Sequence, residues 1–286
     1  MTLKIKAIAT DLDGTMMHHQ NEVSPGNYEA VMRAREKGCI YIVATGRCSR
    51  IIPRQNLPRF DYCLTCNGSY LLEEATGKVI YSNYVPADHA RKALAIIRRY
   101  HPFLEIFVDD NIVLEKETDE NQDQYRIPLF HREYFKTRKH IVVNSYEEFL
   151  ETDMASHITK INMPYPAASG STENAPVSEE EWDELKKELE DLELFCTASD
   201  GMGIELTNIG VSKGNTLRLL LDYLGISREE LVAFGDGAND EKMLEYAGYG
   251  VAMANAKDKA KAAAGYTTAS NKEDGVARFL EEEFGI

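Results

Sequence analysis

Short apolar runs that stop abruptly at a polar group are the feature that most narrows what this chain can fold into. Ile5-Lys6-Ala7-Ile8-Ala9-Thr10 stops at Asp11, Cys39-Ile40-Tyr41-Ile42-Val43-Ala44 at Thr45, and Tyr62-Cys63-Leu64-Thr65-Cys66 at Asn67. Late in the chain Leu231-Val232-Ala233-Phe234 runs into Gly235-Asp236-Gly237, and Gly250-Val251-Ala252-Met253 follows. Helical patterns stand between these runs. Ser24 and Pro25 open one that carries Tyr28, Val31 and Met32 and ends at Gly38. Ser212 opens another, with Leu217, Leu220, Leu221 and Leu224 at i, i+3, i+4 and i+7 and Gly225 closing it. Ser227 with Glu230 three residues on is a capping box, and Val276, Phe279 and Leu280 mark a C-terminal helix. Continuous apolar strands alternating with helices predict a parallel sheet covered on both faces.

From about Tyr84 to Asn208 the pattern changes. An amphipathic helix over 87–100 leads to alternating strands at 104–108 and 112–117, joined across Asp109-Asp110-Asn111. After a strand at 158–163 the pattern repeats, with an acidic helix over 179–192 and strands at 194–198 and 203–207, joined across Ser199-Asp200-Gly201-Met202. Two helix-hairpin units predict an antiparallel α+β insert, with the Ala-, Ser- and Pro-rich stretch 164–176 as an exposed loop. The expected division is a core of 1–83 and 209–286 and an insert of 84–208. Two domains also suit 286 residues, at roughly 150 each.

The chain has 32 Lys+Arg against 47 Asp+Glu, a net charge of −15. That balance argues against nucleic acid or an anionic membrane surface as a partner. No apolar run approaches the roughly 18 residues a membrane span needs. The N-terminus MTLKIKAIATDLDG turns polar too soon for a signal peptide. The sequence is therefore read as that of a soluble, cytoplasmic protein. Its cysteines, Cys39, Cys48, Cys63, Cys66 and Cys196, are odd in number and scattered, unlike a disulfide framework. Cys63 and Cys66 form a CxxC, but no second pair stands at zinc spacing, so they are read as buried strand thiols.

Asp11, Thr45 and Asp236 fall at the carboxyl ends of predicted parallel strands, outside which ligands of open α/β sheets bind. Residues far apart in sequence should converge there. Asp11 and Asp13, at i and i+2 on one side of an extended segment, suit metal binding with acid/base work, and a carboxylate can itself attack phosphorus. On these residues alone a simple turn at Asp13-Gly14 stays open. An EF-hand is excluded, since Thr15 and Met16 stand where its loop needs Asp or Asn and then Gly. Gly210-Val211-Ser212-Lys213-Gly214 inverts the Gly-Lys order of a Walker A loop. Gly235-Asp236-Gly237-Ala238-Asn239-Asp240 adds two carboxylates and a carboxamide at a strand-to-helix junction, where Asn239 also suits a helix N-cap. Lys213 starts a helix, where the dipole disfavours a cation. Facing carboxylates and phosphate would explain that placement; an ordinary surface lysine is the alternative.

Taken jointly, these residues resemble the four motifs of the haloacid dehalogenase superfamily, in particular its Cof-type, class IIB branch of sugar-phosphate phosphatases. Asp11-Leu12-Asp13-Gly14-Thr15 is similar to the first motif, Ala44-Thr45-Gly46-Arg47 to the second, Lys213-Gly214 to the third and Gly235 through Asp240 to the fourth. Cys66-Asn67-Gly68-Ser69, Val251-Ala252-Met253 with Asn255-Ala256, and Ser270-Asn271 through Gly275-Val276-Ala277 also resemble that branch. Met16-Met17 departs from its more usual Leu-Leu. The resemblance implies an α/β fold, a Rossmann-like parallel-sheet core with an inserted α+β cap domain of the C2B type. The implied function is hydrolysis of small phosphorylated metabolites, sugar phosphates first among them.

The resemblance also implies roles. Asp11 attacks phosphorus and becomes an aspartyl phosphate, while Asp13 protonates the leaving alkoxide and then activates water. Thr45 and backbone at Leu12 and Gly46 hold phosphoryl oxygens, and Lys213 balances charge. Mg²⁺ is held by Asp11, the backbone carbonyl of Asp13 and Asp236, with Asn239 and Asp240 in support. Asn239 is also a candidate phosphate contact, as is Arg47, for which a structural pairing is equally open. A phosphomutase of the same fold is an alternative. So is a phospho-receiver-like switch, although that module needs neither Asp13 nor an insert.

Overall fold

Strand Ala7–Thr10 is buried along its whole length and pairs in parallel with Leu231–Gly235 on one side and Ile40–Ala44 on the other. The structure is a computed structural model that describes residues 4–19, 21–122, 125, 140–164, 178–199 and 203–286. It divides into two units, Met1–Ser82 with Val211–Ile286, and Asn83–Gly210.

The first unit is built on an eight-stranded sheet ordered Tyr266–Thr267, Tyr249–Ala252, Leu231–Gly235, Ala7–Thr10, Ile40–Ala44, Tyr62–Thr65, Tyr70–Glu73 and Lys78–Ser82. The first six are parallel, as the apolar runs predict, and the last two form an antiparallel edge that those runs do not announce. Ala7–Thr10 is the point at which the chain changes direction across the sheet. Later strands add first on its one side and then on its other, which opens a crevice at the carboxyl ends.

Alternate residues of that strand feed two apolar layers, as period two requires. Ile8 packs with Val31, Ala34, Val276, Phe279 and Leu280. Ala7 and Ala9 pack with Leu217, Leu220 and Leu221. In helix Pro25–Glu36 the buried face is Asn27, Ala30, Val31 and Ala34, whereas Tyr28, expected on that face, is exposed. Small residues let this helix lie close to helix Gly275–Phe284, and the Asn27 side chain accepts a hydrogen bond from the Ala277 N–H at 2.9 Å. Ser24 and Ser212 cap their helices as expected, accepting from the backbone N–H of Asn27 and Asn215.

The second unit is α+β. Its sheet runs Ile141–Val143, Asn111–Glu115, Glu105–Val108, Ile158–Pro164, Gly203–Thr207, Phe195–Ser199. Helices Ala87–Ile97 and Glu179–Glu190 set Leu94, Ile97, Trp182 and Leu185 against Ile106, Ile161 and Leu206, which the register puts in one row. The two expected helix-hairpin pairs are therefore present. Strand Ile141–Val143 and helices Lys116–Glu120 and Tyr146–Phe149 were not foreseen. The loop expected over 164–176 lies, beyond Pro164, outside the described residues, as do 200–202 of the second hairpin. Among the described residues no helix is long and apolar enough to cross a membrane.

Phe234 has no solvent exposure and meets Phe279 edge to face, with ring centroids 5.6 Å apart. Phe234→Ala is expected to cost about 3–5 kcal/mol, read as a lower urea midpoint at an unchanged slope.

Candidate active site

Asp11 leaves the sheet at the carboxyl end of Ala7–Thr10, its N–H still donating to the Phe234 carbonyl at 3.0 Å. Lys213, first residue of helix Lys213–Leu224, has no solvent exposure. Its Nζ donates to Asp11 Oδ1 and to Asp240 Oδ1, each at 2.6 Å. Burial alone would lower the Lys213 ammonium, but the carboxylates of Asp11 and Asp240 outweigh it and hold its pKa above the ordinary lysine range. The surface-lysine alternative is thereby removed. Asp240 is wholly buried, and its other oxygen accepts from the N–H groups of Asp236 at 2.9 Å and Gly237 at 2.8 Å. Both its oxygens are therefore spent on protein groups. Asp240 thereby holds the turn and the lysine in place beside the other acids.

Asp236 follows Leu231–Gly235, and its Oδ1 accepts from the Thr15 hydroxyl at 2.7 Å. Gly14 sits at φ +80, and a Cβ there would come within 2.2 Å of Asp236 Oδ2, so only glycine lets the two loops approach this closely. Carboxylate oxygens of Asp11, Asp236 and Asp240 lie within 4.8 Å of one another. Burial, opposed by Lys213 and reinforced by Asp240, Asp236 and Asp13, raises Asp11 well above the carboxylate range. Burial, opposed by the Thr15 hydrogen bond and reinforced by Asp240, pushes Asp236 up to about 6. The pocket thus carries more negative charge than its one lysine balances. The all-oxygen, buried, surplus-negative donor set of Asp11, Asp236 and Asp240 fits a hard divalent cation.

Asp13 points elsewhere. Arg47 grips it with two hydrogen bonds, Nε to Oδ2 at 2.7 Å and Nη2 to Oδ1 at 2.5 Å, and reaches Asn21 Oδ1 at 2.7 Å. Of the two readings left open for Arg47, the structure has the pairing. Thr45 is buried, and its hydroxyl oxygen accepts the Arg47 N–H at 3.1 Å, which leaves the hydroxyl proton to donate. The Leu12 side chain lies in the apolar core, so only its backbone can face a phosphate. Asn239 is not the helix cap expected of it. Asp240 holds that position, and the Asn239 amide donates to Asn67 Oδ1 at 3.0 Å. Sequence reasoning gave no role to Thr15, Asn67, Asn255 or Asn271. Asn255 donates to the Gly14 carbonyl and Asn271 to the Met17 carbonyl, both at 2.8 Å, pinning the loop that carries Asp13. The only signal for them was their place in segments resembling the superfamily.

The profile of haloacid dehalogenase-like hydrolases matches residues 8–280. The chain belongs to that family. It is 29% identical over its full length to the 5-amino-6-(5-phospho-D-ribitylamino)uracil phosphatase YitU of Bacillus subtilis, all of which is covered. It is also 29% identical to the pyridoxal phosphate phosphatase YbhA of Escherichia coli, over 96% of this chain and 97% of that one. Among solved structures, a sugar phosphatase of haloacid dehalogenase subclass IIB superposes with a TM-score of 0.77 at 26% identity, covering 97% of this chain and 98% of that one. As a haloacid dehalogenase-like enzyme the chain is a phosphoric monoester hydrolase of small phosphorylated metabolites, and phosphatases of the family generally use a divalent metal.

Lys213→Met leaves Asp11 and Asp240 buried without a counter-charge. The expected loss is about 3–5 kcal/mol, measured by urea unfolding of the metal-free protein. A stability equal to wild type would mean that the lysine does not compensate these acids.

Proposed function

We propose that this phosphatase is Mg²⁺-dependent and works through an aspartyl phosphate on Asp11, with sugar phosphates as its first substrate class. The observation that carries the reading is the Asp11 carboxylate at the strand end, one oxygen fixed by the buried Lys213 ammonium at 2.6 Å. That bond orients Asp11 and leaves its second oxygen for attack. In the first step Asp11 forms a bond to phosphorus, the ester P–O bond breaks, and Asp13 gives a proton to the leaving alkoxide. In the second step Asp13 takes a proton from water as the water oxygen bonds to phosphorus, and the P–O bond to Asp11 breaks. Thr45, through its hydroxyl, and the backbone at Leu12 and Gly46 hold phosphoryl oxygens. Arg47, close enough to Asp13 to neutralise it, turns to the phosphate when a dianion competes for it.

Asp11, the Asp13 carbonyl and Asp236 would hold Mg²⁺, with Asn239 and Asp240 in support; when bound, it supplies Lewis-acid neutralisation of phosphate charge. In this reading 84–208 is the inserted cap that selects among leaving groups, which is supported by every proposed reacting group belonging to the other unit. We place the protein in the cytoplasm, in keeping with five cysteines that form no disulfide.

EDTA is expected to abolish release of phosphate from an aryl phosphate, and added Mg²⁺ to restore it; turnover indifferent to both contradicts the metal. Asp11→Asn is isosteric but not nucleophilic, and kcat is expected to fall by at least about a thousandfold with the circular dichroism spectrum unchanged.

A further inference from the structure

The Asp13 carboxylate is half exposed, and among the described residues the side chain that holds it is Arg47, through Nε at 2.7 Å and Nη2 at 2.5 Å. Its aim is therefore only as good as the aim of that guanidinium. The Arg47 backbone is fixed at both ends: its N–H donates to the Thr45 hydroxyl oxygen at 3.1 Å, and its carbonyl accepts the Cys66 N–H at 2.9 Å. A long flexible stem lies between that backbone and the charged group. The corner of the guanidinium that Asp13 does not use is Nη1. It donates to Asn21 Oδ1 at 2.7 Å and, at 3.4 Å, to the Ile51 carbonyl.

Asn21 is itself held. It stands between the short antiparallel strands Met17–His19 and Glu22–Val23, which follow the Asp13 loop. Its φ of 71 is left-handed backbone, which asparagine tolerates and most side chains do not. Its carbonyl accepts the Asn56 side-chain amide at 2.8 Å, from the helical turn Arg54–Asn56. Asn271 pins the first of the two strands at the Met17 carbonyl. One asparagine, anchored through its own backbone, thus closes the free corner of the arginine that grips Asp13.

Resting on the function proposed above, we propose that Asn21 is a positioning residue that sets the acid Asp13 through Arg47. Without the Asn21 oxygen, Nη1 keeps only the longer contact to Ile51, and the guanidinium swings out with Asp13 following it. An Arg47 released from Asn21 still reaches a phosphate dianion. The loss therefore falls on proton delivery to the leaving alkoxide and not on capture of the phosphate.

The test compares full-length wild type, Asn21→Gly, Asn21→Asp, Arg47→Ala, Asp13→Asn and the double variant Asn21→Gly/Arg47→Ala. Glycine accepts φ 71 without strain, so Asn21→Gly removes the side chain and keeps the backbone. The measurement is kcat/KM with Mg²⁺ over a series of aryl phosphates, from strongly to weakly acidic phenols, ending in an alkyl phosphate. A strongly acidic phenol departs without a proton, so the acid matters only at the other end of the series. For Asn21→Gly, kcat/KM is expected to be unchanged with the most acidic phenol and about tenfold lower with the alkyl phosphate, the lower range for a hydrogen bond to a charged group. A merely structural role would lower the whole series evenly. Asn21→Asp keeps the oxygen that Arg47 needs and is expected to restore the wild-type dependence, and the double variant to be no worse than Arg47→Ala. An even loss, no loss, failure of Asn21→Asp to restore, or losses that add in full to those of Arg47→Ala would each overturn the proposal. Wild-type leaving-group dependence in Asp13→Asn, or a wild type that releases no phosphate from any member of the series, would overturn the proposed function and this inference with it. A loss in Asp13→Asn that grows toward the alkyl phosphate, with Asn21→Gly silent, overturns this inference alone.

Discussion

One ammonium without solvent exposure, shared by two buried carboxylates, is the interaction on which the rest of the site depends. Lys213, Asp11 and Asp240 come from a helix start, a strand end and a turn that are 202 and 27 residues apart along the chain. Taking such charges out of water costs several kcal/mol per ion, and an apolar trio of similar volume often holds a fold equally well or better. Stability alone therefore does not account for them. They do fix one Asp11 oxygen in place and lock the Asp236–Asp240 turn, whose two backbone N–H groups close on Asp240.

The charge balance explains why the remaining polar groups are arranged as they are. A chain of net charge −15 that handles phosphate esters must reverse its own field locally. Lys213 supplies one positive charge within the acid cluster, and Arg47 neutralises Asp13 outside it. Burial first, and the neighbouring acids after it, raise the carboxyls of Asp11 and Asp236, an arrangement that a bound cation would relieve. The uncharged anchors, Thr15 on Asp236 and Asn255 and Asn271 on the first loop, hold acids together without adding to the imbalance.

Much of this was legible in the sequence because a parallel sheet writes itself as unbroken apolar runs whose ends face the site. Asp11, Thr45 and Asp236 could be placed by that rule alone, and the haloacid dehalogenase resemblance added Lys213. What stayed hidden were choices of partner. The grip of Arg47 on Asp13, the Asn239–Asn67 bond and the Lys213–Asp240 pair are tertiary contacts, on which local spacing has no bearing. Asn239 was misassigned as a cap because capping is a local preference whose register is uncertain by a residue, and the helix here begins at Glu241 with Asp240 at the cap position. Tyr28 was expected inward as part of an apolar face with Val31 and Met32, whereas close approach of two helices selected Ala30 and Ala34. The strands Tyr70–Glu73 and Ile141–Val143 are short and incompletely buried, so period two had too few residues in which to declare itself.

The most direct measurement of the central claim is chemical trapping of the intermediate. Enzyme turning over an aryl phosphate with Mg²⁺ is quenched with borohydride, which reduces an acyl phosphate but not a carboxylate, and its peptides are mapped by mass spectrometry. The account predicts homoserine in place of Asp11, at no other acid, and dependent on both substrate and Mg²⁺. Reduction at another residue, or an unmodified Asp11 under conditions that accumulate a phosphoenzyme, would contradict it.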